Sequence, residues 1–230
     1  MKKSKLMVLY LFSLGILAGE KVSKAYAYIE LYERLPLAPS TVRGIVMEFL
    51  NLGFIEEQDG QEGKTYQITK KGLLEAYSVF QSGIQNKPEE CVIVISGKSI
   101  PKILKFGFFS IKAGVYLRFG SFHREELGLL PRKIYHSLLI VESQTPELLP
   151  SYLTEEYIST STVVTQFLKK LIDARSKKNH RVTAAYRLLL KKSFEGIIDL
   201  LSRNYRIPEE YYPQNCRLST LNHLFLRAII

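Results

Sequence analysis

Between Ser40 and Phe80 the hydrophobic period changes twice, and that ordering restricts the fold more than any other feature of the chain. Val42, Ile45, Val46, Phe49 and Leu50 recur at helical spacing behind Ser40, whose hydroxyl suits an N-cap, and Gly53 follows as the stop. Two β-like runs come next, Phe54–Glu57 and Lys64–Thr69. The turn-rich Gln58-Asp59-Gly60-Gln61-Glu62-Gly63 separates them. Lys70-Lys71-Gly72-Leu73-Leu74 then opens another helix. Helix, hairpin, helix at these lengths predicts a winged helix-turn-helix, in which one helix enters the major groove and the hairpin wing meets the DNA backbone.

Such a reading helix needs apolar partners. A second helix is expected over roughly Lys21–Arg34, and a first over the apolar run Leu6–Gly19. Lys2, Lys3 and Lys5 before that run, with Ala25-Tyr26-Ala27 behind it, also have the form of a secretory signal. Removing residues 1–27 would leave the later helices nothing to pack on, so a buried first helix is the expectation. The run is short for a membrane span.

With its apolar side inward, the Ser40 helix turns Thr41, Arg43, Gly44, Met47, Glu48 and Asn51 outward. Arg43 is the expected groove reader, because a guanidinium bonds guanine O6 and N7 together. Ser40 or Thr41 suits a phosphate at the helix start. Gly44 permits close approach at about 1 kcal/mol of helix propensity. In the wing, Lys64 and Tyr66 are the expected backbone or minor-groove contacts, although Glu56, Glu57, Asp59 and Glu62 crowd the same hairpin.

Past a polar stretch over residues 81–88 the pattern changes. Cys91–Ile95 reads as a central strand and Ile100–Phe106 as a short helix opened by Pro101. Phe108–Ile111 and Gly114–Phe119 read as two strands, Glu125–Tyr135 as a helix broken at Pro131, and Ser137–Glu142 as a last strand. The order β-α-β-β-α-β is ferredoxin-like. Beyond Pro146 and Pro150, amphipathic helices are expected over Tyr157–Ala174 and Arg181–Asn204, joined by the basic link Arg175–Arg181. The expected class is therefore α+β. A winged-helix domain spans residues 1–83, a ferredoxin-like dimerisation domain 88–145 and a helical C-terminal domain 150–230.

The chain carries a net charge of +10, which favours an anionic partner such as nucleic acid. The excess is uneven. Residues 1–86 hold 10 basic and 9 acidic groups, residues 87–150 hold 9 and 6, and residues 151–230 hold 13 and 7. A near-neutral reader binds phosphate weakly by itself, so dimerisation or help from later segments is expected. Cys91 and Cys216 form no CxxC pair, and the four histidines show no ligand spacing. They are read as reduced cysteines and packing or surface histidines of a cytoplasmic protein. No nucleophile triad, Gly-rich phosphate loop or cofactor motif is present, so the expectation is a protein that is not an enzyme and binds no metal or cofactor.

The whole chain resembles the PaaX family of bacterial transcriptional repressors. Three segments carry the resemblance. Ser40-Thr41-Val42-Arg43 enters the reading helix and Leu52-Gly53-Phe54-Ile55 leaves it. Phe106-Gly107-Phe108 with Ile111–Leu117 is similar to that family's "GF…LQPGVW" stretch, and Tyr205–Pro213 to its "DPLLPPELLP" segment. The family's middle domain resembles the ferredoxin-like nuclease of CRISPR spacer acquisition, which holds a metal with an aspartate just after its first strand. Here Val92–Ile95 runs into Ser96-Gly97-Lys98, with no carboxylate. Metal-assisted hydrolysis needs hard oxygen ligands there, so the middle segment is read as a non-catalytic dimerisation or sensing unit. The resemblance implies a homodimeric repressor that binds double-stranded operator DNA and is released by a small acyl-CoA-like effector; no membrane partner is expected. Two other readings are a divergent metal-dependent nuclease built on the middle segment, and a winged helix that contacts protein.

Overall fold

The structure is a computed structural model that describes residues 1–60, 63–80, 88–120, 124–147, 149, 151–176, 184–202 and 207–229. Its elements are mixed α and β, with two antiparallel sheets. The stretch at 81–87, the wing tip Gln61–Glu62, most of the 175–181 link and Tyr205-Arg206 lie outside the described residues.

Helix α1, Lys3–Leu17, is apolar on every side, and such a helix is stable only when surrounded. Leu6 to Gly15 are all buried. Helix α4 packs on one flank, Lys70–Phe80, while α7, Ala184–Ser202, and α8, Leu218–Ile229, pack on others. One hydrophobic core therefore joins the first segment of the chain to the last. Inside it, Tyr10 sits edge-on to Phe80 and Phe225 and donates its hydroxyl to Asn222 Oδ1 at 2.6 Å. Asn222 in turn donates Nδ2 to the Leu17 carbonyl at 3.2 Å. Asn222 has no exposed surface, and these bonds are what make its burial tolerable.

The chain then makes a two-residue strand β1, Tyr26–Ala27, and helix α2, Tyr28–Arg34. The expected helix over Lys21–Arg34 is thus only seven residues long. Tyr26 and Ala27 are claimed instead by pairing with Tyr66 and Thr65. Glu30 fixes the start of α2 by accepting the Ala27 N–H at 3.1 Å. Arg34 closes α8 from outside, donating to the Ile229 carbonyl.

Helix α3, Pro39–Leu52, buries Val42, Ile45, Val46 and Phe49, as its period requires. It begins one residue before Ser40. Pro39 holds the first helical position, Ala38 is the cap, and Ser40 lies inside the first turn. The end is as expected. Gly53 sits at φ +69, with Gly53 N–H on the Leu50 carbonyl and Phe54 N–H on that of Phe49, both at 2.9 Å. The Phe54 ring closes over Phe49, centroids 5.7 Å apart.

Strands β2, Ile55–Gly60, and β3, Gly63–Ile68, pair from Ile55↔Ile68 out to Gly60↔Gly63. The hairpin is longer and its loop shorter than the glycines suggest, because Gln58 to Gly60 continue the strand. The sheet order is β1-β3-β2. At the start of α4, Thr69 Oγ1 accepts the Gly72 N–H at 3.1 Å. A Cβ on Gly72 would stand 2.0 Å from the Phe54 carbonyl, so this position has no room for a side chain.

The second sheet runs β5-β6-β4-β7, all antiparallel: β4, Glu90–Ser96; β5, Phe109–Lys112; β6, Val115–Phe119; β7, Leu138–Gln144. Its crossovers are 3₁₀ segments, Pro101–Phe106 and Arg124–Leu129, the latter followed by the four-residue α5, Arg132–Tyr135. One face of the sheet, with Val92, Val94 and Tyr116, packs on those segments as a small separate core. The other carries Cys91, Leu117 and Phe119 into the main core, where Tyr211 lies against Phe119, centroids 5.5 Å apart. Helices α6, Glu155–Ser176, and α7 pack along each other, and α8 closes against α6 and α1. No described helix is long and apolar enough to cross a membrane.

Candidate nucleic-acid interface

The outer side of α3 carries five of the seven residues singled out from the sequence. Ser40, Thr41, Arg43, Gly44 and Met47 are all exposed, Met47 at 49%, and Asn51 joins them. A Cβ on Gly44 would meet nothing within 4 Å. That face is held rigid from behind by the four buried apolar side chains and from its end by α4. Lys71 donates Nζ to the Leu52 carbonyl at 2.7 Å and lies over the Phe54 ring, 5.7 Å from its centroid. A cation at the carbonyl end of a helix suits the sign of the helix dipole.

Glu48, the one acid on this helix, is paired with Lys5 of α1. A carboxylate that would otherwise repel phosphate is thereby balanced. Sequence reasoning missed this role of Lys5, because two residues 43 positions apart share no local pattern.

The wing differs from expectation. Tyr66 is only 4% exposed, so the ring does not stand where a phosphate or groove edge would meet it. Strand alternation turns it inward, against the Tyr28 ring at 4.8 Å, and its hydroxyl donates to Glu57 at 3.3 Å. Burial, with the nearby Tyr28 and Glu57, pushes its pKa up to about 12. Lys64 is on the open side, but its ammonium bonds Glu57, and that bond raises its pKa. Glu56 and Asp59 are exposed beside it. Of the two wing residues, only Lys64 faces outward, and it is engaged by a carboxylate.

Among the described residues no group of three or more His, Cys, Asp or Glu is placed to hold a metal ion. Cys91 and Cys216 are buried free thiols, and burial raises the Cys91 pKa.

No protein-family model matches the chain, and no curated protein matches it. Among solved structures it is similar to the uncharacterized protein Rv0674 from Mycobacterium tuberculosis, at 12% identity and a TM-score of 0.42, over 96% of this chain and 94% of that one. That likeness is too distant to carry any functional conclusion.

Proposed function

We propose that the protein is a duplex-DNA-binding transcriptional regulator of PaaX-like type, a repressor that binds its operator as a dimer. The N-terminal elements are read as a winged helix with α3 as the reading helix, and the β4–β7 sheet as a ferredoxin-like unit. The observation that carries the proposal is the outer face of α3. A 14-residue helix buries Val42, Ile45, Val46 and Phe49 and leaves Arg43, Gly44 and Met47 bare on a rigid mount. The strand order β1-β3-β2 beside it supports the winged-helix reading, and the all-antiparallel order β5-β6-β4-β7 supports the ferredoxin-like one. Arg43 reads a base, Ser40 and Thr41 hold phosphate at the helix start, and Gly44 lets the backbone come close. An acyl-CoA-like effector acts by changing the spacing of two readers related by a two-fold axis.

A second reading, a winged helix that contacts protein, is favoured by the acids Glu56, Glu57 and Asp59 in the wing and by the near-neutral charge of residues 1–86. Fluorescence anisotropy decides between them. On the protein's own upstream DNA, affinity should exceed that for a scrambled duplex and fall steeply with salt. Equal weak binding to both duplexes sinks the regulator reading, and no binding even at low salt favours the protein-contact one.

A further inference from the structure

Strand β7 is the last strand of its sheet, and its outer edge has no partner strand among the described residues. It is seven residues long. Half of its backbone N–H and C=O groups face away from β4, a template for another strand. Natural sheets guard such edges with charge, proline or a bulge in the strand. Here the first four residues of the strand are Leu138-Leu139-Ile140-Val141, without proline or a bulge, and its one charged residue, Glu142, comes only after them. Leu139 is 59% exposed and Val141 38%. Ile95, paired with Leu139 across the ladder, is 40% exposed on the same face. Tyr135, His136 and Leu138–Ile140 line an open depression of about 330 Å³ at the beginning of the strand.

The two ends of this edge have opposite charge. Arg132 and Lys133 of α5, both exposed, stand just before β7. Glu89 and Glu90, both exposed, stand at its far end, where Glu90 pairs with Gln144. We propose that β7 pairs with β7 of a second copy of this chain, antiparallel about a two-fold axis near Ile140. An antiparallel pair lays the basic end of each copy against the acidic end of the other, whereas a parallel pair sets like against like. Leu139 of one copy then faces Val141 of the other, and the two four-stranded sheets become one of eight. The interface is isologous and closes on itself, so it makes a dimer rather than a fibre. The proposal specifies the dimer that the regulator reading rests on, and the test below is run without DNA so that the two are judged apart.

The test is the mass of the full chain by light scattering and sedimentation over a concentration series. The native protein should be a dimer. Leu139→Lys with Val141→Lys should weaken dimerisation by at least about tenfold, since both side chains lie at the middle of the paired strands. Both positions are exposed, so the circular dichroism melt of the monomer should be retained. A control that does not depend on the strand is charge reversal. Arg132→Glu with Lys133→Glu should weaken the dimer, and adding Glu89→Lys with Glu90→Lys should restore it. A native protein that stays monomeric overturns the proposal, as does a dimer indifferent to the strand variants. A β7-dependent dimer that ignores duplex DNA upholds this inference and defeats the operator reading.

Discussion

Helix α1 and strand β7 are both apolar, yet the fold treats them in opposite ways. Every side of α1 is covered, by residues from the two ends of the chain. Strand β7 is covered on one face only, over a small core built from its own neighbourhood. The difference teaches where the chain is self-sufficient. Around α1 it supplies all the partners an apolar segment needs, and at β7 it leaves a row of them exposed.

The comparison is most directly broken by truncation. Leu11→Ala should cost about 2–5 kcal/mol, since Leu11 has no exposed surface, while Leu139→Ala in the monomer should stay within about 0.5 kcal/mol. Urea midpoints read both, and equal costs would mean that α1 is not enclosed as described. Tyr10→Phe should follow, at about 1–3 kcal/mol, because Asn222 Oδ1 would be buried without its donor. Adding Asn222→Leu should recover part of that loss.

Arg43→Ala separates mounting from reading. It should leave the urea midpoint unchanged and cost about 1–3 kcal/mol in binding to a specific duplex. Gly44→Ala has a smaller effect of mixed sign. Its Cβ meets open space, so stability should rise by up to about 1 kcal/mol. Specific DNA affinity should nonetheless fall if the backbone comes close to the groove there.

Alkaline pH acts on the covered side of the comparison. The Tyr26 hydroxyl, pushed up to about 12 chiefly by burial, stays neutral in the folded chain while an unfolded tyrosine ionises near the usual 10. Stability from this group is thus fully present below about pH 10 and lost as pH rises toward about 12. Urea midpoints across that window should fall, and Tyr26→Phe should flatten the slope.

The readable parts of this fold were those written in local pattern. The period of Val42, Ile45, Val46 and Phe49, with Gly53 behind it, marked α3 and its exposed face. Cys91–Ile95 read directly as an interior strand, and β4 occupies one. What escaped was set by distant partners. Strand β1 exists because Tyr26 meets Tyr66, 40 positions on, and that pairing shortened α2. Tyr66 looked available because alternation does not say which face of a hairpin is covered. Helix α8 was overlooked behind the proline-bearing Ile207–Pro213, although Leu218, Leu221, Phe225 and Leu226 have helical spacing. Asn222 within it reads as a polar surface residue, and only Tyr10 explains its place inside.

The bond between Tyr10 and Asn222 spans 212 positions, and it sets a schedule for the chain as it is made. At ordinary rates of synthesis, roughly 10–40 s separate the emergence of α1 from that of α8. Over that interval a helix with an unbroken apolar run from Leu6 to Phe12 waits for its last neighbour. The newborn chain should therefore depend on a holding chaperone at its first helix, and should fold slowly once released because its decisive contacts are the most distant ones.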